Sequence, residues 1–553
     1  MQIKAKGKTD SDLLFIISAN PGCRVINVTV SFLMHRHKAL FLLTYLHIHI
    51  RGGKRMETVS AINSFINGIV WGPVMICTML GVGIYYSLRL NFIQIRDIKL
   101  WWKCTAGSIF KKDKAGSSTR ISPFQAMATS LAGAIGTGNI VGVAGAISLG
   151  GAGAVFWMWA AAFFGMATSY AETVLGVKYR QKRNGKYVGG PMYYIEKGLH
   201  CKWGGVCFAV ICTAAALGMG NMTQSNSAAA ALQYSFGIRP EISALLITAA
   251  AAAVIFGGIR RIAKVTEKLV PAMALIYILL AVIILTINAG RIPEAFIRII
   301  TSAFDIRSAA GGFSGCTMAM AVRYGISRGV FSNEAGLGSS PIVHAAADTD
   351  DPYREGMWGI FQVFIDTIVL CTLMALCILT SGADVTNTDA AELSSAAFGN
   401  TLGHIGEAAL SLSVVLFAFA TLVSWCYYGE KSLEYLSGGS LIPLYRMIYC
   451  LAAYFGCIMS VSLVWEISDT LNGLMAVPNL IALILLRNEI SPPLPGCRLC
   501  WAAAQTCPGC SPGPRQGASS LDPCTSCNSR RRAAGVSSRN RSLRSLCTRK
   551  KAL

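Results

Sequence analysis

Charged side chains are scarce in this sequence: Asp, Glu, Lys and Arg make up 14% of its 553 residues, against about 25% in soluble domains. That shortage excludes an ordinary soluble domain, and a mean hydropathy of +0.50 agrees. Histidine is scarcer still. Of seven, four (His35, His37, His47 and His49) crowd before residue 50, and His200, His344 and His404 stand alone. No Ser/His/Asp or Cys/His grouping forms, so nothing supports a nucleophilic or hydrolytic centre. No Walker sequence is present, and "GTGNIVG" has Val141 where a dinucleotide loop requires its last glycine. Neither end carries a convincing signal peptide. Most cysteines within the apolar runs are expected to be buried free thiols, and they imply no disulfide framework.

Long apolar runs are what the chain has instead. Spans need about 20 mostly apolar residues, and eleven candidates lie near 65–88, 124–148, 154–177, 204–235, 243–259, 269–288, 311–328, 357–381, 405–428, 441–461 and 464–486, the fourth long enough to be broken. The expected fold class is an all-α polytopic membrane protein. Basic loops stay cytoplasmic. "RDIKLWWKCTAGSIFKKDKAGSSTR", "KYRQKRNGK" and "RRIAKVTEK" are basic, whereas 382–404 has Asp384, Asp389 and Glu392 and no base. The start of the first span is therefore predicted outside and the end of the last inside, with a cytoplasmic C-terminus. The loop with Arg291, Arg298 and Arg307 fits less well, being basic where an external loop is expected.

The formal charge of +22 belongs mostly to the ends: residues 1–55 hold nine bases and two acids, and 487–553 hold twelve bases and two acids. It argues for no nucleic-acid partner. From Arg487 the chain loses apolar periodicity and gains Cys, Pro, Ser and Arg, with CxxC pairs at Cys497/Cys500, Cys507/Cys510 and Cys524/Cys527. Two such pairs could hold zinc, but almost no aliphatic residues accompany them. A frameshifted or disordered tail fits better. Residues 1–55 read similarly as a non-native or disordered leader, and Met56 offers a later start. Between them, 56–123 forms a leading span and basic loop, and 124–486 the core, with repeats at about 124–288 and 311–486.

The core holds the informative feature. Gly136-Thr137-Gly138-Asn139 interrupts the second span, at roughly 1 kcal/mol per glycine in helix propensity. In lipid every freed backbone group still needs a partner, so such a break is tolerable only against a cavity or a bound solute. A second break is expected where Gly311, Gly312, Phe313, Ser314 and Gly315 open the seventh span. Interrupted helices at matching positions of two five-span halves point to an inverted-repeat transporter. Half-helix N-termini suit a carboxylate, and freed carbonyls suit an ammonium or a monovalent cation. Asp366 is a true intramembrane charge and a functional candidate of uncertain role, a structural pair being the alternative. Gln224, within the fourth span, could equally make a helix–helix hydrogen bond, and Thr421 and Trp425 share a face one turn apart.

"GTGNIVGVAGAISLGGAGAVFWMWAAAFFGMATSYAE", "GGPMYYIEKGL" and "RYGISRGVFSNEAGLGSSPIVHAAA" resemble the alanine/glycine:cation symporters, from about Met56 to Leu486. The resemblance implies a leucine-transporter-like five-plus-five fold with one leading helix, in a prokaryotic plasma membrane. It implies uptake of alanine or glycine with Na⁺, or less often H⁺, and no enzymatic cofactor. The implied substrate residues are Thr137, Gly138, Asn139, Gln224, Phe313, Ser314, Gly315 and Trp425; those for the cation are Gly136, Thr137, Asn139 and Thr421. A passive channel is the rival, yet channels usually repeat one filter around an oligomer axis, and the two breaks here are unlike. A membrane enzyme would need clustered His, Asp, Glu or Cys at depth.

Overall fold

The structure, a computed structural model, describes residues 62–108, 121–183, 185–304, 318–386, 390–459 and 461–491, together with three strands nearer the N-terminus. Those strands, Ile3–Thr9, Asp12–Ile17 and Val28–Ser31, pair antiparallel in sequence order. The remainder of 1–55, the loop glycines and Phe313, Ser314 and Gly315 of 305–317, and the CxxC-bearing residues from 492 onward lie outside the described residues.

The leading helix continues a shorter segment from Ile62 and runs as α1, Pro73–Arg89. The first half then comprises α2 (Pro123–Ala134), α3 (Val141–Gly150), α4 (Gly153–Lys178), α5 (Lys202–Leu217), α6 (Thr223–Phe236), α7 (Pro240–Ile255) and α8 (Gly258–Ile287). A connecting helix α9 (Ile292–Ala303) leads to the second half: α10 (Met318–Asn333), α11 (Ser340–His344), α12 (Pro352–Val363), α13 (Thr372–Ser381), α14 (Ala390–Ser437), α15 (Ile442–Ile458) and α16 (Val461–Leu485). Each half begins with an interrupted helix, α2/α3 and α10/α11, which is the five-plus-five pattern. Among the described residues, seven helices are long and apolar enough to cross a membrane by length and composition. The expected break in the fourth span is a widened π-helical turn at Gly218–Met222 between α5 and α6. A second such turn, Phe364–Cys371, joins α12 to α13 and carries Asp366. Single π-turns of this kind gather at functional sites because they redirect side chains within a continuing helix.

Local sequence explains the start of α2. Pro123 occupies the first helical position, where its missing N–H costs nothing. Ser122 and Gln125 form a reciprocal capping box, each side chain meeting the other's backbone N–H at 3.1 Å. The interior is held by close backbone approach rather than by bulk, as expected where lipid supplies no hydrophobic driving force between helices. α4 packs along α10 and α12, and at Gly325 a Cβ would stand 2.3 Å from the Ala154 carbonyl oxygen, so only glycine fits that crossing. α5, α6 and α8 pack on α14.

The bases of the loop expected outside have partners far away in sequence. Arg291 donates to the Thr380 carbonyl at 3.2 Å, and Arg298 pairs with Asp384, an acid of the 382–404 loop. Both bases are thereby neutralised or satisfied within the protein.

Candidate functional site

The first break changes the hydrogen bonding of one helical turn. After Ile135 the backbone leaves the helix, passes through Gly136, makes a short 3₁₀ turn over Thr137–Asn139 and re-enters helix at Val141. A continuous helix would send the Gly136 and Thr137 N–H groups back to Ala132 and Gly133. Instead the Gly136 N–H donates to Asn139 Oδ1 at 3.0 Å and the Thr137 N–H to Gln224 Oε1 at 3.1 Å. The carbonyls so released are taken by side chains of α14. Thr421 Oγ1 lies 3.0 Å from the Ala132 oxygen and 3.1 Å from that of Ile135, and Trp425 Nε1 lies 3.3 Å from that of Gly133. Gln224, Asn139, Thr421 and Trp425 thus each cover a group that the break sets free, as a low-dielectric interior demands. One polar atom is left over: the Thr137 hydroxyl is buried without a partner.

The second break lies about twenty residues beyond the stretch at Gly311–Gly315 that the glycine count singles out. α10 ends at Asn333, and Glu334 follows in left-handed backbone at φ 60°. Gly336 and Gly338 take φ 91° and 81° before α11 starts at Ser340. The freed groups here are met by distant side chains. Asn333 Oδ1 accepts the Ala335 N–H at 3.0 Å, Glu172 accepts that of Gly336 at 3.2 Å, and the Asn479 amide donates to the Gly336 carbonyl at 2.9 Å. Asn479 also bonds to Glu172 and to the Tyr194 hydroxyl.

The two breaks face each other. A Cβ on Gly138 would come within 3.3 Å of both Phe331 Cδ1 and Ser332 Cα, at the end of α10. Asp366 bridges them: its Oδ1 accepts from Asn139 Nδ2 at 2.7 Å, and its Oδ2 accepts from the Ser332 and Thr367 hydroxyls, each at 2.8 Å. Trp425 bridges them again, with its indole N–H 2.7 Å from Glu334 Oε1. Thr137, Asn139, Gln224, Glu334, Asp366, Thr421 and Trp425 are all buried. Above this layer Arg328 and Asp469 form a two-pronged ion pair at 2.9 and 2.8 Å, and Phe331 stacks on Trp465 with centroids 5.3 Å apart. Below it Ser130 of α2 meets Ser340 of α11 at 2.7 Å, and both donate to Gln362 Oε1.

The structure brings together Gly136, Thr137, Gly138 and Asn139 of the first break, the Gln224, Thr421 and Trp425 that the resemblance implied, and Asp366, whose role the sequence left open. Phe313, Ser314 and Gly315 fall outside the described residues, and the segment that faces the first break is 331–338. Sequence reasoning missed Ser332, Asn333, Glu334, Glu172 and Asn479. Three acidic side chains, Glu172, Glu334 and Asp366, lie against the breaks. The available signal was the Gly-Leu-Gly of Gly336–Gly338 following two polar residues, which repeats the character of the first break.

Two broken helices, set face to face within an inverted repeat and carrying buried polar groups at their breaks, define a secondary transporter of the leucine-transporter-like class. The family model for the sodium:alanine symporter family matches residues 56–494. The chain belongs to that family: it is a multi-pass membrane protein, a Na⁺-coupled amino-acid symporter and not an enzyme. It is 47% identical over 444 residues to the sodium/alanine symporter AgcS of Methanococcus maripaludis, covering 79% of this chain and 96% of that protein. It is 38% identical over 426 residues to the probable sodium/glutamine symporter GlnT of Bacillus subtilis, covering 77% and 87% respectively. Among solved structures it resembles MhsT in complex with L-phenylalanine, with a TM-score of 0.51 over 67% of this chain and 90% of that one. At 14% identity that likeness concerns the fold alone.

Proposed function

We propose that this protein takes up a small neutral amino acid, alanine or glycine, together with Na⁺ by alternating access. The substrate lies between residues 136–139 and 331–338. The observation that carries the reading is the buried, unpartnered Thr137 hydroxyl beside the N-terminal turn of α3, whose N–H groups have no intrahelical partners. A carboxylate placed there would receive that hydroxyl and the positive end of a helix dipole together. Gly138 leaves room for its approach, and Gln224 and Asn139 hold the backbone open. Trp425, buried against Gly133 and Glu334, limits the space left for a side chain, which favours a methyl group or a hydrogen.

Two oxygen clusters suit Na⁺. Asp366 with Asn139, Ser332 and Thr367 combines one negative charge with neutral oxygens, and each hydroxyl has lone pairs it can turn toward a cation. Thr421 with the carbonyls of Ala132 and Ile135, next to Gly136, forms the other, from backbone oxygens that the break has freed. Cation binding at both would fix α2, α10 and α14 in one arrangement, which ties ion occupancy to substrate occupancy. The end of the last span, and the tail with it, lies on the cytoplasmic side of a prokaryotic plasma membrane.

The test is labelled alanine uptake into proteoliposomes with and without an inward Na⁺ gradient, for this chain and for Asn139→Ala. Accumulation against a gradient is expected only with Na⁺ and is expected to vanish in the variant, because Asn139 serves the Gly136 N–H and Asp366 at once. Accumulation driven equally by a proton gradient without Na⁺ would replace Na⁺ by H⁺ in this reading. Equilibration without accumulation would point to a passive pore.

A further inference from the structure

A carboxylate buried in a membrane interior needs a base, a proton or a bound cation beside it. Glu172, Glu334 and Asp366 are 0%, 1% and 0% exposed, and among the described residues none of them forms an ion pair with Lys, Arg or His. Their surroundings differ in kind. Asp366 gathers two hydroxyls and an amide, the set assigned above to the cation. Glu172 sits on α4 and takes the Gly336 N–H and the Asn479 amide, so it braces the second break from behind.

Glu334 is on the break itself. Its left-handed backbone is costly for a residue other than glycine, asparagine or aspartate, so the fold holds this particular side chain against a conformational preference. One oxygen accepts the Trp425 N–H at 2.7 Å and the other accepts the Ser339 hydroxyl. A carboxylate offers about four acceptor positions, and these two leave others open. The same indole N–H lies 3.3 Å from the Gly133 carbonyl on the last turn of α2. A negative charge and a half-satisfied carbonyl oxygen therefore converge on one hydrogen, at the point where the two broken helices meet.

We propose that Glu334 is the counter-charge for the α-ammonium group of the transported amino acid, which it holds together with the Gly133 carbonyl while the substrate carboxylate rests on the Thr137 side. This inference rests on the substrate reading above and assigns the opposite end of the zwitterion. Its consequence is chemical selection: molecules with the carboxylate and the small side chain but without the ammonium are rejected, because they leave Glu334 buried and uncompensated. Ser339 acts as a positioning residue, fixing the carboxylate that the ammonium meets.

The experiment compares alanine with L-lactate, which has the same skeleton and a hydroxyl in place of the ammonium, as competitors for labelled alanine on the purified full chain in saturating Na⁺. The unaltered protein should prefer alanine strongly. In Glu334→Gln the alanine affinity should fall by about a hundredfold while that of lactate moves less than about threefold, the scale expected when a buried charged hydrogen bond loses its charge. Ser339→Ala should weaken alanine by several-fold in the same selective way, and it carries the test if Glu334→Gln fails to fold. Discrimination between alanine and lactate that is undiminished in a folded variant, or an equal loss for both ligands, would overturn the assignment. Absence of Na⁺-dependent alanine binding in the unaltered protein would count instead against the substrate reading on which it rests.

Discussion

Asp366→Asn should raise the Na⁺ concentration needed for half-maximal alanine uptake by at least about a hundredfold. The side chain is fully buried, and its two oxygens collect Asn139, Ser332 and Thr367 from three different elements. Substituting the amide keeps the shape and removes the charge, so a cation entering the cluster loses its only formal counter-ion there. Removing one partner of a buried charge pair costs about 3 to 5 kcal/mol, and each 1.4 kcal/mol is tenfold in an equilibrium constant. The measurement is initial uptake rate against external Na⁺. An unchanged Na⁺ dependence would remove Asp366 from the cation site and leave it a structural bridge between the breaks.

Gly136→Ala is expected to reduce uptake by roughly tenfold to a hundredfold without preventing insertion into the membrane. A Cβ at this position would stand 2.5 Å from Thr421 Oγ1 and 3.0 Å from Gln224 Oε1. Those two atoms satisfy the carbonyls of Ala132 and Ile135 and the Thr137 N–H, so the methyl group displaces the hydrogen-bond partners of the break on both sides at once. Overpacking of this kind costs about 1 to 3 kcal/mol, which corresponds to that range of rates if the open form of the break is what suffers. Gly142→Ala serves as the comparison. Its Cβ would meet only the Thr137 carbonyl oxygen, at 4.0 Å, an ordinary contact, and uptake should stay within about twofold. Equal effects of the two substitutions would mean that the region responds to bulk generally and that Gly136 has no special place.

How much of this was legible in the sequence depends on whether a feature is local. The first break could be located because two glycines and an asparagine within four residues contradict helix formation wherever they stand. The partners of the freed groups at Thr137, Ala132 and Ile135 were suggested only by the family resemblance, since Gln224 reaches Thr137 from 87 residues away and Thr421 reaches the two carbonyls from a different half of the chain. The break at 333–339 went unnoticed for the same reason, and the stretch expected to break, 311–315, lies outside the described residues. Gly311, Gly312 and Gly315 are denser in glycine than 333–339, but what opens the latter is external support from Glu172 and Asn479, which no local count registers. Ser332, Asn333 and Glu334 are three polar residues in a row, and only folding shows that all three are buried. Asp366 stood out because it is the one charged residue in the apolar stretch 357–381. The partners of the basic loop, Thr380 for Arg291 and Asp384 for Arg298, lie 89 and 86 residues further on and could not be read locally.

The most direct measurement is an experimental density map of the protein with alanine and Na⁺ bound. The account predicts a compact ligand density between Thr137 and Glu334, its carboxylate on the α3 side and its ammonium on the Gly133 side, with an ion beside Asp366. Alanine density outside the layer between 136–139 and 331–338, or either of those segments resolved as unbroken α-helix, would contradict it.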